Sequence, residues 1–239
     1  MQQQIEFQDL GLRRYQEVWD YQESLLKENA TIKTTYRQSA EPILPEMVPT
    51  HHHLLFLEHN PVYTLGKSGK YEHLLINEKD CAERGIEYFH INRGGDITFH
   101  GPGQLVGYPI LDLEKFKPDL GWFLRSLEEV IILTLAEYGI KGDRSPGETG
   151  VWLDPQIPGK ERKICAMGIK CSRWITMHGF AININTDLNY FNFILPCGIQ
   201  NKQVTSLAKE LGREISMEEV KYKVKKNFEK VFDCAFYNR

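Results

Sequence analysis

No stretch of this chain approaches the roughly 18 apolar residues that a membrane helix requires. The polar opening Met1-Gln2-Gln3-Gln4 lacks the apolar core of a secretion signal. A cytoplasmic protein with no membrane partner is therefore expected. Charge of one sign is also scarce, the net being −3 at pH 7, and there is neither an arginine-rich arm nor a nucleic-acid reader. Polyanion binding is excluded as the main task, and no nucleic-acid partner is expected. Cysteines stand only at 81, 165, 171, 197 and 234. An odd set in a chain long enough not to need covalent staples implies reduced thiols. Cys165 and Cys171 have no second ligand pair at zinc-site spacing, so no metal is expected. The GxxxxGK[ST] phosphate loop is missing, as are internal repeats and low-complexity tracts.

What is present suits an ordinary folded domain: 239 residues, 41% apolar and 26% charged. Tyr15, Val18, Trp19, Gln22 and Leu25 share one face of a helix over 15–26. Residues 33–50, with Pro42, Pro45 and Pro49, read as a long loop or lid, and the expected loop or insertion extends through the histidines to 53. Leu54 to Glu58 reads as a buried strand, Tyr63 to Gly69 as a turn, and Leu105 to Leu111 as another strand. Asp119 caps a helix whose apolar face runs from Phe123 to Leu135 and which Gly139 stops. A glycine-rich loop over 141–150 precedes the strand Val151-Trp152-Leu153. Ile164 to Ile169 and Phe180 to Ile184 are two strands joined by a polar turn at Ser172-Arg173. Ser216 and Glu219 form a capping box opening a last helix with Val220, Val224, Phe228, Val231 and Ala235 on its packed stripe. Short strands mixed with three long helices give an α+β domain.

Candidate chemistry gathers in a few places. Cys197 lies in Leu195-Pro196-Cys197-Gly198-Ile199, where proline fixes the approach and glycine leaves room beside the thiol; the residues fit either a nucleophile or an inert core cysteine. Lys163 opens an otherwise apolar strand. Beside a pocket it would stabilise or deprotonate a thiol; with Lys160, Glu161 and Arg162 around it, it equally fits a solvated strand end. Residues 93–104 are densest in ligand-type groups: Arg93, Gly94, Gly95, Asp96, Ile97, Thr98, Phe99 and His100 combine backbone that a ligand can approach with donors of different reach. His178-Gly179 precedes a strand and fits a site histidine or a hydrogen-bonded structural one. His51, His52 and His53 point alternately on an extended chain and read as a solvated loop. Lys160, Arg162, Lys170 and Arg173 form a basic cluster suited to docking acidic proteins.

These same residues resemble the lipoyl(octanoyl) transferase family. Glu58-His59-Asn60-Pro61-Val62-Tyr63-Thr64-Leu65-Gly66 is similar to its early motif, and residues 93–109 to its RGGxxTxHGPGQLVxYP signature, with Phe99 where tyrosine is usual. Lys163 to Gly168, His178 to Asn183, Asp187-Leu188 and Pro196 to Ile199 follow in the family's order, so the resemblance spans roughly residues 10–235. It implies a single catalytic domain with a mixed β-sheet flanked by helices, similar to that of biotin and lipoate protein ligases. It implies that Cys197 takes the acyl group as a thioester and Lys163 activates it. Arg93 through His100, Ala166, Met167 and Gly168, and Gly179, Phe180 and Ala181 match acyl-binding segments, with His178 beside them. The implied donor is octanoyl acyl carrier protein; the implied acceptors are apo-lipoyl domains of 2-oxoacid dehydrogenases and the glycine cleavage H protein. A monomer without cofactor is expected, since the acyl group arrives activated. The alternatives are an ATP-dependent lipoate or biotin protein ligase and a noncatalytic acyl-carrier-binding module. Cys197 and the lack of a GRGRxG-type loop disfavour ligation.

Replacing Cys197 by alanine is expected to abolish acyl labelling without unfolding the domain, while single replacements of Cys81, Cys165, Cys171 and Cys234 leave labelling intact. Intact-protein mass spectrometry after incubation with an acyl thioester checks both statements; labelling of a folded Cys197→Ala protein would refute the covalent mechanism.

Overall fold

The computed structural model describes residues 2–38, 43–195 and 203–237. Its main sheet is mixed. Strand β1 (Gln3–Arg13) runs parallel to β2 (His52–His59), which is antiparallel to β6 (Gln104–Ile110). Antiparallel neighbours β9 (Ile175–Asn183) and β8 (Arg162–Ser172) follow, with β7 (Val151–Leu153) and the parallel two-residue β10 (Gln203–Val204) both on β8. On the other side of β1 lies β11 (Cys234–Tyr237), again parallel.

Helices cover both faces, which explains why the central strands are apolar on both sides. Alternation divides β2 cleanly: Leu54 and Phe56 face α3 (Leu120–Ala136) and α5 (Met217–Phe232), while Leu55 and Leu57 face α1 (Tyr15–Arg37). Asp119 caps α3 by accepting from the Trp122 amide at 2.9 Å, and Ser216 caps α5 through the Glu219 amide at 3.4 Å. Arg173 and Trp174, both with positive φ, make the two-residue turn between β8 and β9, the mirror-image turn that matches strand twist. A smaller sheet stands beside the large one: β3 (Val62–Leu65) lies between parallel β4 (Glu87–His90) and antiparallel β5 (Ile97–His100). Helix α2 (Glu78–Glu83), capped by Asn77, packs with it, and α4 (Leu207–Leu211) precedes α5.

Several expectations change. β1, β4 and β11 are strands that the sequence did not announce, and Ala235 belongs to β11 rather than to the stripe of α5. Tyr63 to Leu65 is strand, with the turn confined to the residues after Leu65. Helix α1 continues to Arg37, so the loop expected from residue 33 starts later, and it ends before His52, where β2 begins. His52 and His53 are buried rather than solvated. The His52 imidazole accepts from the Asp112 amide through Nδ1 at 3.2 Å and meets Gln3 through Nε2 at 3.3 Å.

The extension of α1 has a visible cause. Lys33 is 1% exposed, and its Nζ lies 2.7 Å from Asp112 Oδ1, 2.6 Å from Glu114 Oε2 and 2.9 Å from the Arg173 carbonyl oxygen. Thr50 donates to the other Asp112 oxygen at 2.9 Å. One ammonium thus ties the last turns of α1 to the end of β6 and to the β8–β9 turn. Removing one partner of such a pair strands a buried charge. Lys33→Met is therefore expected to lower stability by about 3 kcal/mol or more, measured by urea unfolding; a loss under about 1 kcal/mol would show that the pair does not anchor the helix.

Candidate functional site

Residues 93–96 fix the geometry between the two sheets. The Gly94 amide donates to the Ile169 carbonyl oxygen of β8 at 2.9 Å. Opposite it, Gly168 leaves no room for a side chain, since a Cβ there would lie 2.6 Å from the Gly94 oxygen. The Arg93 guanidinium, buried beside this contact, donates to the carbonyl oxygens of Thr64 at 3.1 Å, Asp96 at 2.7 Å and Gly94 at 2.9 Å. Arg93 therefore works as an internal clamp: it satisfies carbonyls of β3 and of its own loop.

Two adjoining lobes, with part of their lining in common, lie along this seam. Arg93, Thr98, Ala166, Met167 and Ala181 border both lobes. Lys163 borders one, together with Thr149, Gln104, Asn183, Phe191 and Val204. The other is bordered by Tyr15, His100, Tyr108, Gly168 and His178 to Phe180. Lys163 sits in β8 opposite Trp152 of β7, and its Nζ lies 4.5 Å from the centre of the indole, a cation–π contact that restricts where the ammonium points.

Neutral histidines line one lobe and stand behind it. His100 Nδ1 lies 2.7 Å from Gln104 Oε1, whose Nε2 donates to Asn183 Oδ1 at 2.9 Å; Asn183 in turn donates to the Thr205 carbonyl oxygen at 3.0 Å. The Thr205 amide donates to the Lys163 carbonyl oxygen at 2.9 Å. This relay fixes the Nδ1–H tautomer of His100, because the Gln104 oxygen can only accept. His59 Nε2 meets the Tyr108 hydroxyl at 2.9 Å. Burial lowers the pKa of His59 to about 4 and of His100 and His178 to about 3, so all three are uncharged near neutrality.

The family model for the lipoyl protein ligase A/B catalytic domain matches residues 14–229. The chain belongs to this family. Within it, the chain is 55% identical over 98% of both chains to an octanoyltransferase of Christiangramia forsetii. It is 54% identical to an octanoyltransferase of Flavobacterium johnsoniae, covering 98% of this chain and 99% of that one. It is an acyltransferase of the octanoyltransferase branch. Among solved structures, the bipartite lipoate protein ligase of Thermoplasma acidophilum superposes with a TM-score of 0.68 at 17% identity, covering 100% of this chain and 87% of that one. A lipoate-protein ligase A bound with ATP gives 0.67 at 16%, covering 100% and 89%. At those identities the likeness establishes the shared fold.

Most of the binding residues expected from the family come together. Arg93, Gly95 to Thr98, His100, Ala166 to Gly168 and His178 to Ala181 border one lobe or both, and Gly94 forms the seam. Phe99 does not. Its ring stacks on Tyr190 at 4.5 Å inside the core of the small sheet. Cys197 lies outside the described residues. The other four cysteines are free, and burial raises each thiol pKa, that of Cys234 to about 12, the reverse of what a reactive thiolate needs. The basic cluster is not an open patch. Arg162 pairs with Asp154 at 2.6 Å and Glu210 at 2.7 Å, Lys170 pairs with Glu23 at 2.7 Å, and Arg173 donates to Ala30 and Thr34; of the four cations, Lys160 and Arg173 are exposed.

Sequence reasoning missed Tyr15, Tyr108 and Asn183. Tyr108 left a signal, a polar-tipped aromatic inside an apolar strand, which needs a partner when buried.

These histidines also predict how the protein responds to acid. His52 is likewise lowered to about 3 by burial. With folded values below the usual 6.5, the unfolded chain binds protons first, so stability is full above about pH 6.5 and falls as pH drops toward the folded values. Each histidine adds a slope of about 1.4 kcal/mol per pH unit within that window. Melting temperature measured from pH 8 to pH 5 is expected to fall mainly below 6.5; a flat profile down to pH 5 would contradict the neutral burial described here.

Proposed function

We propose that this chain moves an octanoyl group from octanoyl acyl carrier protein to the target lysine of an apo-lipoyl domain through a thioester on Cys197. The supporting observation is the position of Lys163 on a largely apolar cavity, next to the residues that follow the stretch containing Cys197. On one side of that stretch, the Leu195 amide bonds to the His73 carbonyl oxygen at 2.8 Å. On the other, Val204 pairs with Lys163 across β10 and β8 and borders the same lobe. The octanoyltransferase names of close relatives and the ordered motifs support the same reading.

In the proposed reaction the Cys197 thiolate attacks the donor thioester carbon, the tetrahedral intermediate collapses, and the carrier leaves as a thiol after taking a proton. The amine of the target lysine then attacks the acyl-enzyme; an amide forms, the C–S bond breaks, and Cys197 is regenerated. Lys163 stabilises the thiolate and exchanges the proton in each half. Two transfers through one site need no ATP. The acceptors are lipoyl domains of 2-oxoacid dehydrogenases and the glycine cleavage H protein, and the enzyme acts as a cytoplasmic monomer.

Incubation with octanoyl acyl carrier protein alone is expected to add one octanoyl mass to the enzyme, and a lipoyl domain then to remove it. Lys163→Ala should slow both halves by about a hundredfold or more. Lys163→Arg should not restore them, because guanidinium supplies charge but does not give up its proton. Unchanged single-turnover rates in Lys163→Ala would return Lys163 to a strand-end charge stacked on Trp152.

A further inference from the structure

Several lysines of this protein rest on carboxylates. Lys33 is set between Asp112 and Glu114, Lys170 meets Glu23, Lys221 meets Asp9 and Glu218, and Lys223 meets Glu219. Lys163 is held differently. Among the described residues its ammonium has neither a carboxylate nor a hydrogen-bond acceptor, and its contact is the face of the Trp152 indole. A carboxylate would occupy the N–H donors and hold the proton on the nitrogen. The ring attracts the same charge through its electron-rich face and leaves donors free to turn toward a bound thioester.

The indole is itself fixed from several directions. Trp152 is 3% exposed and pairs in register with Lys163 across β7 and β8, so the two side chains rise from the same face of the sheet. On its other edge Trp152 exchanges both backbone hydrogen bonds with Asp143, at 2.8 and 2.9 Å. Two residues earlier, the Gly150 amide donates to Glu128 Oε1 at 3.0 Å. Glu128 is fully buried in α3, and its second oxygen accepts from Arg125 at 2.6 Å and Arg144 at 2.9 Å. Gly150, with φ of +102°, passes so close to β8 that a Cβ there would lie 2.4 Å from the Cys165 carbonyl oxygen. Helix, loop and strand thus converge on the placement of one ring.

We infer that Trp152 is a positioning residue for acyl transfer: its indole face holds the Lys163 ammonium at the border of the lobe, in the rotamers from which it reaches the reacting atoms. The inference rests on the acyl-transfer reading above. A lysine side chain left to itself spreads over many rotamers, and only those in reach of the reacting atoms contribute to the rate. A cation–π contact favours the held set by about two- to thirtyfold, depending on how far the ammonium is desolvated. Losing the ring should therefore lower the rate constant of the chemical step and leave the donor concentration at half saturation where it was.

The test follows acyl-enzyme formation by mass after mixing with octanoyl-pantetheine thioester over a range of concentrations. Trp152→Leu is expected to slow the saturated rate by about tenfold, with half saturation unmoved. Trp152→Phe keeps an aromatic face and should lose less, about threefold. In a Lys163→Ala background, Trp152→Leu should change the residual rate by less than about twofold, whereas a packing role alone would slow both backgrounds equally. Fluorinated tryptophans placed at residue 152 by nonsense suppression cover the case in which Trp152→Leu fails to fold. They keep the shape of the ring while draining its face, so the rate should fall stepwise as fluorines are added. An unchanged rate in folded Trp152→Leu, equal slowing in the Lys163→Ala background, or no trend with fluorination would overturn the assignment. No adduct on the wild type would instead defeat the acyl-transfer reading and this inference with it.

Discussion

Everything in the site depends on two backbones meeting without side chains between them. The Gly94 amide reaches the Ile169 oxygen, and Gly168 keeps the opposing surface bare. This contact sets the distance between the small sheet and β8, and the cavity runs along it. A methyl group at residue 168 would force the loop away by roughly the difference between a 2.6 Å overlap and ordinary contact. Arg93 reinforces the seam from inside, since its donors are directed at the Gly94 and Asp96 carbonyls of the glycine turn, the second of which also accepts from the Gly66 amide. A residue that looks like a ligand-binding arginine in the sequence is thus first a structural one.

Around this seam the protein sets uncharged polar groups beside the Arg93 guanidinium. Histidines at 59, 100 and 178 are held neutral by burial, so they offer hydrogen bonds without an attractive field for anions. Lys163 adds a cation beside Val204, with its ammonium resting on Trp152. An apolar acyl chain and a reacting thioester make opposite demands on a pocket. Separating the lysine from the histidine-rich lobe along one strand meets both.

Much of this was legible in the sequence where information is local. The apolar runs at 105–111, 164–169 and 180–184 gave true strands, and Asp119 and Ser216 cap the helices they precede. The motifs located the cavity because glycine and donor-rich segments have few other uses. What stayed hidden depends on partners distant in the chain. The β-branched stretch ending α1 is a poor helix by propensity, and it persists because Lys33 meets Asp112 and Glu114. Arg162 and Lys170 read as free charges until Glu210 and Glu23 arrive beside them. β1, with its mix of half-buried and polar positions, lacks a strong period of its own and is defined by the strands on either side. Phe99 lies in the expected segment, with its ring stacked on Tyr190 in the core of the small sheet.

The position of β1 has a consequence for assembly. Gln3 aligns with Cys234 on one side and Ile5 with His52 on the other, so the first described strand is completed by the last. During synthesis β1 can pair with β2 early, yet its other edge stays open until Cys234–Tyr237 has emerged. Contacts of such long sequence separation form slowly, and an unpaired parallel edge invites pairing with another chain. The nascent protein is therefore most exposed to misassociation in the interval between completion of β2 and arrival of β11.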